Sequence, residues 1–220
     1  MSNRQTSKTL SMGCTIGYGI GAIGEGIGYN VFFSFFSFFL TTVAGIPPAI
    51  AGVISSVAVL WDAVTDPIIG NWSDTTRNPK GRRRPFIMVG SVLFGVSIAL
   101  VFFNFNLPVG LKTVYFVLAN GFYWVALTSC VIPHISLGSE LTDDFDGRTR
   151  LRSCAVTLMG IGTLIATSST LILVKFYQGV FGSDSAGWAA TGITFGIIVA
   201  LMYNLCCIVV KKLEPANPNL

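Results

Sequence analysis

Two carboxylates four residues apart, Asp62 and Asp66, lie inside an otherwise apolar stretch of this 220-residue chain, with Thr65 between them. On a helix a four-residue step puts both acids on one face, one turn apart. At that separation they repel. They can share one proton, or both can stay ionised around a small cation whose charge offsets the repulsion. A hard ion such as sodium takes several oxygen ligands, which carboxylates and hydroxyls supply. A pair held only for structure, bonded to neighbouring hydroxyls, is the simpler alternative. Of the ten acidic residues, Asp74, Glu140, Asp143, Asp144, Asp146, Asp184 and Glu214 fall in loops or tails. Glu25, Asp62 and Asp66 remain in apolar runs, where an ionised group facing lipid costs a few kcal/mol or more and functional use is the default reading.

The elements that must position these groups follow from composition. The chain is 52% hydrophobic and 11% charged, with a mean hydropathy of +0.68. Soluble domains carry about a quarter charged residues, so a water-soluble globule is excluded. Six apolar runs, at 12–41, 48–72, 85–104, 111–138, 153–177 and 188–210, each have the length of a membrane-spanning helix. They are too long and continuous for barrel strands. The expected fold is an all-α integral membrane bundle of six spans: a cytoplasmic segment 1–11, the bundle 12–210, and the start of a polar, proline-bearing linker at 211–220.

Charge placement sets the expected orientation. Arg4 and Lys8 precede the first run; Arg77, Lys80, Arg82, Arg83 and Arg84 follow the second; Arg148, Arg150 and Arg152 follow the fourth; Lys211 and Lys212 follow the sixth. Only Lys112 and Lys175 fall on the other side. The positive-inside rule then puts both termini in the cytoplasm. The Arg82–Arg84 cluster is read as topogenic, and no nucleic-acid partner is expected. Cys14, Cys130, Cys154, Cys206 and Cys207 show no Cys-x-x-Cys spacing and read as small core residues.

Depth ties the acids together. At 1.5 Å per residue, Asp62 lies about 15 Å from the cytoplasmic end of its span, and Thr128 about as far from that end of the fourth. Glu25 falls at a similar level in the first. Tyr29 and Asn30 in the first span, and Asn120, Tyr123 and Trp124 in the fourth, carry polar edges that can stack on or bond a ligand. His134 could relay a proton, but a hydrogen-bonded packing role fits its position better. The glycines Gly13, Gly17, Gly21, Gly24 and Gly28 form a stripe for close helix packing, or for local unwinding beside a substrate.

Trp61-Asp62-Ala63-Val64-Thr65-Asp66-Pro67-Ile68-Ile69-Gly70, then Asp74 and Gly81-Arg82-Arg83-Arg84-Pro85, resembles the glycoside–pentoside–hexuronide:cation symporters, the melibiose-permease family of the major facilitator superfamily. The stretch Ile132-Pro133-His134-Ile135-Ser136-Leu137-Gly138-Ser139-Glu140, ending in Arg148-Thr149-Arg150-Leu151, and the opening Tyr18-Gly19-Ile20-Gly21-Ala22-Ile23-Gly24 match as well. The resemblance implies cation-coupled transport of sugars or glycosides across the cell membrane by alternating access, with no enzyme activity and no cofactor beyond the coupling ion, sodium or proton.

By that resemblance Asp62, Asp66, Thr65 and Thr128 form the cation site. Gly70, Asp74, Gly81, Arg82 and Arg84 form a cytoplasmic gate motif. Glu25, Tyr29, Asn30, Asn120, Trp124 and Arg152 are the substrate candidates. Thr65 stands where the melibiose permease has Asn. Its Lys-Asp pair in the first span is replaced by Glu25-Gly26, the acidic and Trp positions of its fourth span by Val131 and Ile135, and its fifth-span arginine aligns with Arg152 or Ala155. Family members have twelve spans, so the chain corresponds to the amino-terminal half, with a second six-span half or self-association as the expected partner. A non-transporting half-subunit is the alternative. A membrane enzyme of alcohol-phosphatidyltransferase type is weaker, because the Asp-x-x-Asp-Gly-x-x-Ala-Arg order is absent.

Overall fold

A computed structural model describes residues 10–76, 81, 83–142 and 144–212. The termini 1–9 and 213–220, and with them most of the expected linker, lie outside the described residues, as does Arg82. Six helices are long and apolar enough to cross a membrane, and among the described residues there is no strand. They are α1 (Met12–Phe38, extended by a π-helical turn, Phe39–Val43), α2 (Pro48–Thr75), α3 (Arg84–Val101), α4 (Val109–Glu140), α5 (Phe145–Phe181) and α6 (Asp184–Val209).

Local chemistry explains most of the boundaries. Prolines at the start of α2 and α3 occupy positions where the missing N–H costs nothing. The hydroxyl of Ser183 caps α6 by accepting from the Ala186 N–H, and Gly182, in the left-handed region at φ 73°, ends α5. The fifth helix is longer than the apolar run at 153–177. Asp144 caps it, accepting from the Gly147 N–H at 2.8 Å, so Arg148, Arg150 and Arg152 stand on the first turns of α5 instead of in a loop. Hydropathy located the membrane core, whereas the capping carboxylate located the helix.

The order of packing is what places the site. α1 lies against α5 and α6, α3 against α4 and α6, and α2 is held mainly by α4. α1 stays helical through its glycine stripe, and a Cβ at Gly17, Gly21, Gly24 or Gly28 would strike α3, α4 or α6, so packing is the role of these four, while Gly13 has open space beside it. A Cβ at Gly26 would run into the carbonyl of Met159, and one at Gly162 into that of Ile23, so α1 and α5 approach at backbone contact. Toward the end of α1 opposite the basic loops, Phe32, Phe36 and Phe39 pack into an aromatic core with Phe102, Phe116, Tyr123 and Trp188, while Phe33 and Phe38 stay exposed. Lys112 donates to the Ala44 carbonyl at that same end, 2.9 Å away.

Candidate cation and substrate site

α2 carries Asp62 and Asp66 on the face turned to α4, both half-buried. Thr128 of α4 meets them there. Its Oγ1 lies 2.8 Å from Asp66 Oδ1 and 3.2 Å from Asp62 Oδ1. One hydroxyl carries one proton, so it donates to one carboxylate at a time while its oxygen stays beside both. Three oxygen-bearing side chains therefore converge from two helices on one point, a donor set suited to a hard cation or to a shared proton. Pro67, one residue past Asp66 inside α2, leaves the Ala63 carbonyl without its helical donor and adds a further polar atom to this stretch. Thr65 is buried nearby, but its hydroxyl donates to the backbone carbonyl of Asp62 at 3.3 Å, and the structure does not join it to the carboxylates.

The hold of α4 on α2 is set one and two turns away. Asn120, wholly buried, donates from Nδ2 to the Ile54 carbonyl at 3.0 Å, which ties the two helices near the cation candidates. Among the described residues its Oδ1 has no hydrogen-bond partner, and neither has Nε1 of the buried Trp124. Asn120, Trp124 and Thr128 are spaced by four, so one stripe of α4 carries two unpartnered polar atoms and the bridging hydroxyl. The stripe on α1 is Glu25, Tyr29 and Phe33. Tyr29 stacks on Phe33 with ring centroids 4.2 Å apart, and Phe33 meets Trp124 edge-on at 5.8 Å.

Glu25 is half-buried, and its charge interacts with that of Arg152 across the α1–α5 contact. Asn30 accepts from the Thr167 hydroxyl of α5 at 2.9 Å. Arg152 stands on the exposed side of α5. Of the substrate candidates, Tyr29 and Trp124 are linked through Phe33, Glu25 is paired in charge with Arg152, Asn30 is bonded to α5, and the amide nitrogen of Asn120 serves packing. His134 is also a packing residue: it stacks on Tyr18 at 4.4 Å, and each side chain bonds the other's backbone carbonyl at 3.1 Å.

At the opposite end from Lys112, the residues of the expected gate motif meet an arginine that the motif did not single out. Arg83 pairs with Asp74 at the end of α2 (2.6 Å) and with Glu140 at the end of α4 (2.8 Å), and reaches Ser73 Oγ at 3.4 Å. Arg84 turns inward, and its Nε donates to the Cys207 carbonyl of α6 at 2.8 Å, so it secures α3 to α6. Gly81, three residues before α3, holds a left-handed φ of 114°, and Gly70 sits against Ile132. In a run of three arginines no composition argument separates one from another; the signal was the acid at each neighbouring helix end, Asp74 and Glu140.

Comparison with known proteins identifies the family. The chain matches the family described as MFS/sugar transport protein over residues 17–219. It is 32% identical over 176 residues to the uncharacterized symporter YjmB of Bacillus subtilis, covering 78% of this chain and 38% of that protein. It is 27% identical over 203 residues to the putative glycoside/cation symporter YagG of Escherichia coli (92% and 44%), and 25% identical over 186 residues to the isoprimeverose transporter of Lactiplantibacillus pentosus (84% and 39%). The chain spans less than half the length of these relatives. The membrane-enzyme reading of the spaced aspartates is set aside. The chain belongs to the MFS sugar-transport family, and its six helices have the arrangement of a half-domain of that superfamily.

Proposed function

We propose that this chain is the cation-binding half of a cation-coupled symporter of sugars or glycosides, held in the cell membrane with both termini cytoplasmic. One observation carries the reading: the hydroxyl of Thr128 within hydrogen-bond distance of both Asp62 and Asp66. A membrane-embedded carboxylate pair is repulsive unless a proton or cation is present, so occupancy changes the charge of the α2–α4 interface by a full unit. Sodium or a proton is the coupling ion, and Thr65 can add its oxygen by turning from its own backbone.

Substrate binds beside it, between α1, α4 and α5, where Glu25, Tyr29, Asn30, Trp124 and Arg152 supply hydrogen-bonding groups and aromatic surface. A second six-span unit, from a carboxyl-terminal half or another copy, encloses that face. Arg83 with Asp74 and Glu140 latches the cytoplasmic ends of α2 and α4 when the path is closed on that side. Uptake of a panel of labelled pyranosides, isoprimeverose among them, into membrane vesicles of the producing cell under imposed sodium or proton gradients tests the proposal. Gradient-driven accumulation of at least one member supports it; uptake indifferent to both gradients contradicts it.

A further inference from the structure

The seam between α2 and α4 has two sides, and the carboxylates use only one of them. Trp61 precedes Asp62 by one residue and so points about 100° away from it around α2; Trp72, three turns on, shares the Trp61 face. On that face the seam opens into two cavities. The first, about 300 Å³, lies between Val57 and Trp61 of α2 and Gly121, Phe122 and Val125 of α4. The second, about 350 Å³ and nearer the end of α2, lies between Trp72 and the α3 residues Phe86, Val89 and Leu93, with Ser129 of α4 beside them. Trp72 meets Phe86 edge-on at 5.5 Å, and a Cβ at Gly90 would strike the Ser129 carbonyl, so α3 and α4 touch there. No charged side chain lines either cavity. At 1.5 Å per residue Val57 and Trp72 stand about 22 Å apart along α2, which puts one cavity in each leaflet of a hydrocarbon core about 30 Å thick.

We propose that the two cavities are acyl-chain sites, each holding one hydrocarbon chain of a bilayer phospholipid against α2. The lining is apolar at hydrocarbon depth, and each volume suits part of a flexible chain. The direction of the face selects lipid over protein. Asp62, Asp66 and Thr128 meet on the other side of the seam, where the symporter reading above seats the second six-span unit, and the proposal rests on that reading for which side is left to the bilayer. α2 is held mainly by α4, so chains in these cavities supply dispersion contacts to a side of α2 that few helices cover.

The test is fluorescence quenching by phosphatidylcholine with brominated acyl chains, because bromine quenches an indole that the chain touches. The four tryptophans separate by exposure: Trp61 and Trp72 are 49% and 64% exposed, Trp124 and Trp188 only 8% and 3%. The protein, purified from its native membranes, is reconstituted with increasing fractions of the brominated lipid, and Trp61→Phe and Trp72→Phe assign the share of each indole. Both are quenched, each with the dependence of a single exchangeable lipid. A Cβ at Gly121 meets only Trp61, at 3.7 Å, so Gly121→Leu extends into the first cavity; it removes the quenching of Trp61 and leaves that of Trp72 unchanged. Val57→Phe, on the exposed wall of the same cavity, has the same effect and keeps the test decisive where Gly121→Leu does not fold. Quenching of Trp61 that survives both substitutions, or that needs several lipids at once, is contact with the general lipid annulus and overturns the assignment. Shielding of both Trp61 and Trp72 in the wild type overturns it as well: a second six-span unit or a second copy then covers the seam, and gradient-driven uptake that persists leaves the symporter reading standing.

Discussion

Thr128 and Asp66 are the closest polar contact between α2 and α4 at the level of the carboxylate pair, with 2.8 Å between Oγ1 and Oδ1. The contact makes the relation of the two helices depend on the charge state of an acid. A hydrogen bond to an ionised carboxylate contributes about 1.5–3 kcal/mol, and it weakens when that carboxylate is protonated.

Thr128→Ala therefore lowers the affinity for the coupling cation by about tenfold or more, because it removes both a donor and a ligand oxygen. Thr128→Ser keeps both atoms and stays within about threefold of wild type. Carbodiimide protection of Asp66 as a function of cation concentration distinguishes the two.

On the proposed reading, protons and sodium compete for the same oxygens. Each bound proton cancels one negative charge, so apparent sodium affinity falls as pH is lowered, by about tenfold per unit for each proton displaced. The sign is checked by sodium titrations at successive pH values. Asp62→Asn flattens the dependence.

The Arg83 cluster predicts an asymmetric pair of effects. Arg83 is 8% exposed, Glu140 19% and Asp74 55% in their side chains, so the Glu140 pair is the better shielded from water. Glu140→Gln lowers stability more than Asp74→Asn, by about 1–2 kcal/mol against less than about 1. Arg83→Lys loses the planar fork that serves both acids and does not restore wild-type stability. Thermal unfolding in detergent, arranged as a double-mutant cycle, measures these terms.

Two glycines on α5 make a paired control. A methyl group at Gly162 strikes the Ile23 carbonyl, whereas at Gly160 it meets nothing within 4 Å. Gly162→Ala destabilises by about 1–3 kcal/mol. Gly160→Ala is neutral or slightly stabilising, as a helix former replacing glycine. The same unfolding assay reads both.

Much of this arrangement was legible before any coordinates. The six runs were plain in the hydropathy, and the acids one turn apart on α2 could be set level with Thr128 by rise per residue alone, which anticipated the contact at 2.8 Å. What stayed hidden depended on rotation and on choice among like residues. Depth arithmetic does not say which way a helix turns, so Asn120 looked like a ligand group although its Nδ2 is spent on the Ile54 carbonyl. Three consecutive arginines gave no ground for preferring Arg83, whose partners Asp74 and Glu140 lie on different helices. The start of α5 was missed because a charged first turn hides from a hydropathy window, although the Asp144 cap was there to be read.

The central claim is that the Asp62–Asp66–Thr128 cluster binds the coupling cation. Its most direct test is substrate accumulation in vesicles under an imposed gradient of that cation, compared with counterflow exchange in the absence of any gradient. Asp62→Asn and Asp66→Asn should each abolish gradient-driven accumulation, while Asp184→Asn, at the start of α6 and outside both the cluster and the gate, still accumulates substrate. Wild-type accumulation by either Asp62→Asn or Asp66→Asn would contradict the account.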